Sequence, residues 1–353
     1  MMNTQRKDWT GQTLYAGIDV HKAKWVITVR TKEIQLKTFV TGADKEALLK
    51  SFRHLFTGAT IEAVYEAGSF GYHLAEYLNA NGIKTIIVAP HTIPTAPGQF
   101  VKTDVIDSRK LASELAKSSL SSIYLHHTED LYDRSLLRKR RQLVKRRVQL
   151  QHQIASDLRF FGLESQVDIK SYWSRWLITD LKEMEFSNEY YQEAFRMLVD
   201  DYVTVRAQIY TLDRLLVTVA NTDKYRKQVE LLRTIPGFGR LAALTFLVEI
   251  GDIKRFPSAE KFASYLGLTP SEYSSGEHIR KGSLTGMGHT MLRAVLIQIA
   301  WQSIRRDPVL LMKFQHLCLG KSKCQAIIPI AKSLANRLRR VLLFNEPYVI
   351  GVA

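Results

Sequence analysis

Between Leu14 and Ala116 the hydrophobic pattern alternates between the strand period and the helix period, and the order of those alternations is the strongest constraint on the fold. Residues 14–20 (Leu-Tyr-Ala-Gly-Ile-Asp-Val) and 25–30 (Trp-Val-Ile-Thr-Val-Arg) are short, apolar and rich in β-branched or aromatic side chains, as buried strands are. The link Val20-His21-Lys22-Ala23-Lys24 is short enough for a hairpin, and residues 34–40 supply a third strand. Residues 44–56 read as a helix with Leu48, Leu49, Phe52 and Leu55 on one face. A strand at 61–66, a helix through Tyr72 to Leu78 and a strand at 84–89 follow. A loop with Pro90, Pro94, Pro97 and Gly98 then delivers the chain to a helix whose apolar face is Leu111, Ala112, Leu115 and Ala116. The predicted order is β-β-β-α-β-α-β-α.

The last helix opens with Lys102-Thr103-Asp104-Val105-Ile106-Asp107-Ser108-Arg109. Residues three apart share a helix face, so the Asp104 and Asp107 carboxylates converge. Acids in a first turn also suit the helix dipole, so this pair alone reads equally as a charged helix start. Two further acids change the reading: Asp19 near the end of the first strand and Glu66 at the end of the fourth. The predicted order is that of the ribonuclease H-like nuclease fold, in which acids at these places meet at one edge of the sheet. Taken singly, Asp19 is a strand-end turn residue and Glu66 a solvent-facing strand end; the four in this order form a specific pattern. Glu62, at the start of its strand, is a weaker substitute for Glu66. Carboxylates so close raise one another's pKa, and a divalent cation relieves the repulsion. An all-oxygen site favours Mg2+ or Mn2+, which can polarise a phosphate. Lys102 and Arg109 flank the acids and either hold substrate phosphates or balance charge.

Composition narrows the partner. The 353-residue chain has a formal net charge of +16, which points to a polyanion, nucleic acid first. A basic membrane-surface protein is the competing class, but no apolar run approaches spanning length and Met1–Trp9 lacks the apolar core of a signal peptide. Cys318 and Cys324 lie six apart without a metal-type pairing and read as reduced thiols. The expectation is a cytoplasmic protein, associated with the nucleoid and not with a membrane.

The rest of the chain reads as helices, with domains expected at 1–125, 126–226 and 227–353. A long helix from Glu129 to about Leu163 carries Arg134, Arg138, Lys139, Arg140, Arg141, Lys145, Arg146 and Arg147 with no acid among them. Such a run either is solvated or is neutralised by phosphates, with Arg138 and Arg141 as nucleic-acid contacts. A second long helix, Glu189 to Thr218, suggests an antiparallel hairpin or coiled-coil arm. Between them the aromatic, basic stretch with Trp173 and Trp176 could stack on bases, but core packing is the expected use of two tryptophans. Ile235-Pro236-Gly237-Phe238-Gly239 suits either a phosphate-approaching helix-hairpin-helix turn or a plain connection between helices. A helix at 241–250 follows. The stretch from Tyr265 to His289 is dense in serine, glycine and cations, among them His278, Arg280 and Lys281, and a helix bearing Arg293 comes next. A hydroxyl there is a candidate nucleophile toward phosphorus, with Arg280, Lys281 and Arg293 absorbing charge. A basic amphipathic helix over 321–343 ends the chain.

Five blocks in this order resemble a known family: Gly17-Ile18-Asp19-Val20-His21-Lys22; Glu66-Ala67-Gly68; Lys102 through Arg109; Ile235 through Gly239, continuing by Gly251-Asp252-Ile253 and Arg255-Phe256 to Tyr265-Leu266-Gly267-Leu268-Thr269-Pro270; and Ser275-Gly276 with Gly282 and the Arg293 helix. The chain is similar to the DEDD-type transposases of insertion-sequence family 110, relatives of the Piv site-specific invertases. The resemblance implies a RuvC-like α/β domain, a helical coiled-coil middle and a mostly α-helical C-terminal domain. It implies that Asp19, Glu66, Asp104 and Asp107 bind metal and that a serine attacks DNA to give a phosphoserine. By position that serine is Ser275, with Ser274 the runner-up. It also implies a multimer (dimer or tetramer), the acids of one subunit meeting the serine of another, and a structured guide RNA pairing with donor and target DNA. Gly286 stands where a lysine is common and His289 where an asparagine is common.

The expected function is therefore DNA strand exchange by a metal- and serine-dependent recombinase. The alternatives are a RuvC-like junction nuclease that uses water and forms no covalent intermediate, and a non-catalytic nucleic-acid binder.

Overall fold

The computed structural model describes residues 8–94, 103–167, 173–272 and 281–351. Their contacts fall into two compact units, Met1–Leu125 and His126–Ala353.

The first unit runs β1 (Thr13–Val20), β2 (Lys24–Arg30), β3 (Gln35–Gly42), α1 (Lys45–Leu55), β4 (Thr60–Glu66), α2 (His73–Ala80), β5 (Lys84–Val88) and α3 (Asp104–Ala116). This is the succession that the periodicity predicts. The five strands form one sheet in the order β3-β2-β1-β4-β5. The β1–β2 and β2–β3 pairs are antiparallel, and β1–β4 and β4–β5 are parallel. This mixed sheet is consistent with a ribonuclease H-like domain.

Side chains alternate across the sheet. Leu14, Ala16 and Ile18 join a core with Leu48 and Phe52 of α1 and Leu74 and Leu78 of α2. Tyr15 of β1 and Val64 of β4 lie on the opposite face, packed with Leu111, Leu115 and Ala116 of α3. Gly17, between Tyr15 and Asp19, is what brings α3 so near. A Cβ built on Gly17 would lie 2.2 Å from the Ser108 carbonyl oxygen and 2.4 Å from the Ala112 nitrogen. Both are backbone atoms of α3, so no rotamer change can make room. The register of α3 is fixed beside this contact by a buried hydrogen bond of 2.9 Å between the Thr28 and Ser108 hydroxyls.

The second unit is mostly helical: α4 (Thr128–Phe160), α5 (Arg175–Glu183), α6 (Glu189–Ala220), α7 (Arg226–Arg233), α8 (Arg240–Ile250), α9 (Ala259–Tyr265), the short antiparallel strands β6 (Pro270–Glu272) and β7 (Lys281–Leu284), then α10 (Thr290–Ser303), α11 (Pro308–Cys318) and α12 (Lys323–Phe344). The long helices α4 and α6 are antiparallel, since Arg140 pairs with Asp213 while Arg146 pairs with Asp201. Their distal parts share an apolar cluster with α5 that includes Leu150, Ile154, Leu177, Phe195 and Tyr202. A larger cluster unites α7, α8, α10 and α12 around α8, whose residues from Ala243 to Ile250 are all buried. Among the described residues no helix is long and apolar enough to cross a membrane. Cys318 and Cys324 are free thiols.

Three expectations are refined. Trp173 packs on Tyr202, with ring centroids 4.7 Å apart, but Trp176 is 81% exposed and joins no core. Helical periodicity cannot show which side of a short amphipathic helix meets a partner. The basic run of α4 is acid-free in sequence but partly neutralised in space. Arg134 and Arg138 pair with Glu249, Arg140 with Asp213 and Arg146 with Asp201. Gly237 has φ +89°, and its Cβ position faces the Ile299 carbonyl of α10 at 2.9 Å. That side of the turn is therefore used for helix packing rather than for approach to a phosphate.

The close approach at Gly17 carries a prediction. Gly17→Ala forces α3 off the sheet, and overpacking of this kind costs about 1–3 kcal/mol. Thermal unfolding should show a lowered melting temperature, whereas Gly42→Ala, where no atom lies within 4 Å of the added carbon, should melt close to wild type.

Candidate functional site

The acids of the first unit are placed by local rules. Thr103 caps α3, its hydroxyl accepting from the Ile106 N–H at 3.3 Å, which fixes where the helix starts. Asp104 and Asp107 consequently fall in the first turn, where the helix dipole favours negative charge. Ser108, the next residue, is the one tied to Thr28, so the turn bearing both acids is anchored to the sheet.

Asp19 lies at the end of β1 on the face that α3 covers, two residues beyond Gly17. Its pKa is raised. Burial is the main cause, and the nearby Asp104 and Asp107 charges push the same way while His21 opposes them. Glu66 ends β4. In the β1–β4 register Ile18 faces Tyr65, so Glu66 is the residue next to Asp19 on the neighbouring strand, and alternation puts it on the same face. Glu62 lies four residues back, about 13 Å at the usual strand rise of about 3.3 Å per residue. It pairs there with Lys84 at 3.0 Å.

His21 is the residue that sequence reasoning passed over. It appears in the first motif block without a role, because a histidine in a hairpin turn carries no periodic signal. The turn is pinned by the Trp25 indole, which donates to the His21 carbonyl at 3.1 Å. The imidazole Nε2 then sits 3.0 Å from Asp19 Oδ2 and 3.5 Å from Asp104 Oδ1. Lys24 Nζ lies 3.6 Å from the other Asp104 oxygen. One ligand atom from each of Asp19, His21 and Asp104 lies within 4.8 Å of the other two, close enough for all three to reach a single ion.

Of the remaining candidates only Arg109 is in the described part of the first unit; the others are in the second unit or outside the described residues. Lys102, Ser274, Ser275, His278 and Arg280 lie outside them, and of Lys281 only the backbone in β7 is described. Arg109 is exposed on α3. Arg293 Nη1 donates to the Gly267 carbonyl at 3.1 Å and the Thr285 carbonyl at 3.4 Å, joining the two sides of the β6–β7 hairpin at its base. His289 caps α10: Nδ1 accepts from the Leu292 N–H at 3.3 Å, which leaves Nε2 to donate to Glu249 at 3.2 Å. An asparagine could cap this helix equally, but its side chain is too short to cap and reach Glu249 together.

Two family profiles match the chain. One, a DEDD transposase profile of IS110, covers residues 16–162, and the other, described as transposase IS116/IS110/IS902 family, covers residues 229–315. The transposase for insertion sequence element IS1533 of Leptospira borgpetersenii is 30% identical over 303 residues, 82% of this chain and 85% of its own length. The pilin gene-inverting protein of Moraxella bovis is 29% identical over 307 residues, 84% of each chain.

A DEDD-type domain implies a divalent metal, and the residues here fit one. The donor set is carboxylate oxygen with one imidazole nitrogen, suited to Mg2+ or Mn2+. Burial does most to raise the Asp19 pKa and the Asp104 and Asp107 charges add to it, and a bound dication offsets both by favouring the ionised form. Mn2+ should therefore raise the melting temperature of the wild-type protein, by about 2.7 kcal/mol of added stability at a hundredfold excess over Kd. Asp19→Asn and Asp104→Asn should each abolish most of that shift in a thermal titration. An undiminished shift in both would place the ion elsewhere.

Proposed function

Because the chain belongs to the IS116/IS110/IS902 transposase family and is a DNA recombinase, we propose that it mobilises an insertion sequence by cutting and exchanging DNA strands through a serine nucleophile and a metal-bound acidic tetrad. The observation that carries the reading is the convergence of Asp19, Asp104 and His21, with Asp107 coupled to Asp19 and Glu66 beside it in the sheet. Asp19, Glu66, Asp104 and Asp107 hold the metal. When bound, it supplies Lewis-acid polarisation of a phosphodiester oxygen. His21 Nε2 bridges the Asp19 and Asp104 carboxylates and would serve as a further ligand to the same ion.

The Ser275 hydroxyl oxygen forms a bond to phosphorus as the bond from phosphorus to the leaving deoxyribose oxygen breaks. The serine proton is lost and the departing oxygen is protonated. A DNA hydroxyl then attacks the phosphoserine, rejoining the strand and releasing the serine. Arg280 and Lys281 stabilise the charge on the phosphoryl oxygens, and Arg293 holds the base of the hairpin that carries the serine. The acids of one subunit serve the serine of another, so the active form is a homo-oligomer. A structured guide RNA directs it to donor and target DNA, and the work is done in the cytoplasm at the nucleoid. The pilin gene-inverting relatives support the recombinase reading, since inversion, like transposition, breaks and rejoins DNA strands.

The test is recombination of the cognate element ends, with denaturing-gel analysis of protein–DNA adducts. Ser275→Ala and Asp104→Ala should each lower recombination by more than about 10^3-fold. A Mg2+-dependent covalent adduct should form with wild type and vanish with Ser275→Ala. Adduct formation that survives Ser275→Ala and vanishes in Ser274→Ala moves the nucleophile by one residue. Cleavage with no adduct in any variant replaces this scheme with water-driven hydrolysis.

A further inference from the structure

Glu249 is a feature of the second unit that the proposed chemistry does not use. It lies in the apolar helix α8, and its side chain is 0% exposed. Oε2 accepts from Arg134 Nη2 at 2.8 Å, from Arg134 Nε at 3.1 Å and from Arg138 Nη2 at 3.2 Å. Oε1 accepts from Arg138 Nε at 3.2 Å, and His289 Nε2 lies 3.2 Å from Oε2. Burial raises the Glu249 pKa, but the His289 and arginine hydrogen bonds outweigh it and hold the carboxyl well below the usual range. One ionised carboxylate thus orients groups from α4 and from the start of α10.

The two arginines differ. The Arg134 side chain is 13% exposed and serves the interior, whereas that of Arg138 is 55% exposed although its fork is aligned by the same carboxylate. Arg138 opens onto a pocket of about 270 Å3, lined also by Arg141, Gln142, Lys145, His289 and Met291. Arg138, Arg141 and Lys145 recur at helical spacing along one stripe of α4. Arg141 and Lys145 are exposed, and neither has an ion-pair partner among the described residues. Three cations therefore line a pocket whose one carboxylate already accepts from Arg134, Arg138 and His289. The stripe from Arg138 to Lys145 covers about 10 Å of helix at about 1.5 Å per residue. That matches about three nucleotides of a strand at about 3.4 Å each.

We propose that this pocket between α4, α8 and the start of α10 is a phosphodiester-binding site for a nucleic-acid strand, with Glu249 as its positioning residue. Arg141 gives a planar fork and Lys145 a point charge to successive phosphates, Arg138 adds the outer edge and the charge of a guanidinium whose inner edge Glu249 holds, and Gln142 adds a neutral hydrogen-bonding group. Phosphate contacts of this kind set register on the strand without reading its sequence. The site accepts DNA or RNA, because both present the same group. The inference rests on the chain's handling of nucleic acid but not on the serine or metal chemistry, so it is tested in EDTA.

The experiment is fluorescence anisotropy with the full chain, a short labelled DNA duplex and an RNA of matching sequence, across a salt series. Arg141→Ala/Lys145→Ala should weaken binding about tenfold near 0.1 M salt and reduce the salt slope by about 1–2 on the affected nucleic acid. Loss confined to DNA, or to RNA, identifies which strand occupies the site. The control pair Lys50→Ala/Lys227→Ala, exposed lysines on α1 and α7, should change affinity less than twofold. Gln142→Glu, on the exposed helix face, should weaken binding as the double variant does. Glu249→Gln separates positioning from net charge. Removing a negative charge alone would tighten binding, whereas loss of the aligned fork should weaken it in protein shown to be folded by circular dichroism. Wild-type affinity and slope on both nucleic acids for Arg141→Ala/Lys145→Ala and Gln142→Glu would overturn the site, whatever recombination assays show. Tighter binding by folded Glu249→Gln would overturn the positioning role.

Discussion

The missing side chain of Gly17 is the constraint on which the first unit depends. A helix packed on a sheet normally stands off by the thickness of the side chains between them. Here α3 comes down until its own backbone fills the place of a Cβ on β1, with the Ser108 carbonyl 2.2 Å from that point. The contact lies two residues from Asp19 on one side and one residue from Asp107 on the other. A carboxylate on a short side chain has little reach, so an outward shift of the helix of even a few ångströms would separate the acids. The glycine, the Thr28–Ser108 hydrogen bond and the Thr103 cap together turn a chain separation of 85 residues, Asp19 to Asp104, into a single cluster.

That cluster is held against its own electrostatics. Burial and the charges of Asp104 and Asp107 disfavour the ionised form of Asp19. His21 and Lys24 offset part of the repulsion, the one from the β1–β2 turn and the other from the first residue of β2. A site that concentrates like charge is one prepared for a counter-charge. The second unit solves the opposite problem. Its α4 carries a dense run of cations, part of which is neutralised by Glu249, Asp213 and Asp201 from α8 and α6. What remains outward is a narrower cationic stripe than the sequence suggests, and a buried acid shapes it.

The order of elements in the first unit was legible because each strand and helix there has one apolar face and a short connection, so the period of the pattern and its interruptions mark each element. The places of the acids were legible for the same reason: each falls at a strand end or in a first helical turn that the pattern locates. The same logic failed for Trp176, where a nine-residue helix offers too few turns to show which side is covered. It also overstated the uncompensated charge of α4, because the balancing acids lie far along the chain and no local pattern joins them. His21 and Glu249 escaped for related reasons. One sits in a turn, where periodicity is silent, and the other is an acid inside an apolar helix, where sequence alone cannot tell an error of pattern from a buried ion pair.

By itself the sequence determined the alternation of strands and helices, the net positive charge and the places along the chain where carboxylates could gather, since these follow from local periodicity and composition. Only the tertiary structure decided which of those groups touch. It brought His21 between Asp19 and Asp104, set Arg138 on Glu249, and turned Gly237 toward α10. The physical reason is that each such contact is settled by the distance between backbones packed side by side. That distance is a property of surfaces meeting, and no single stretch of chain contains it.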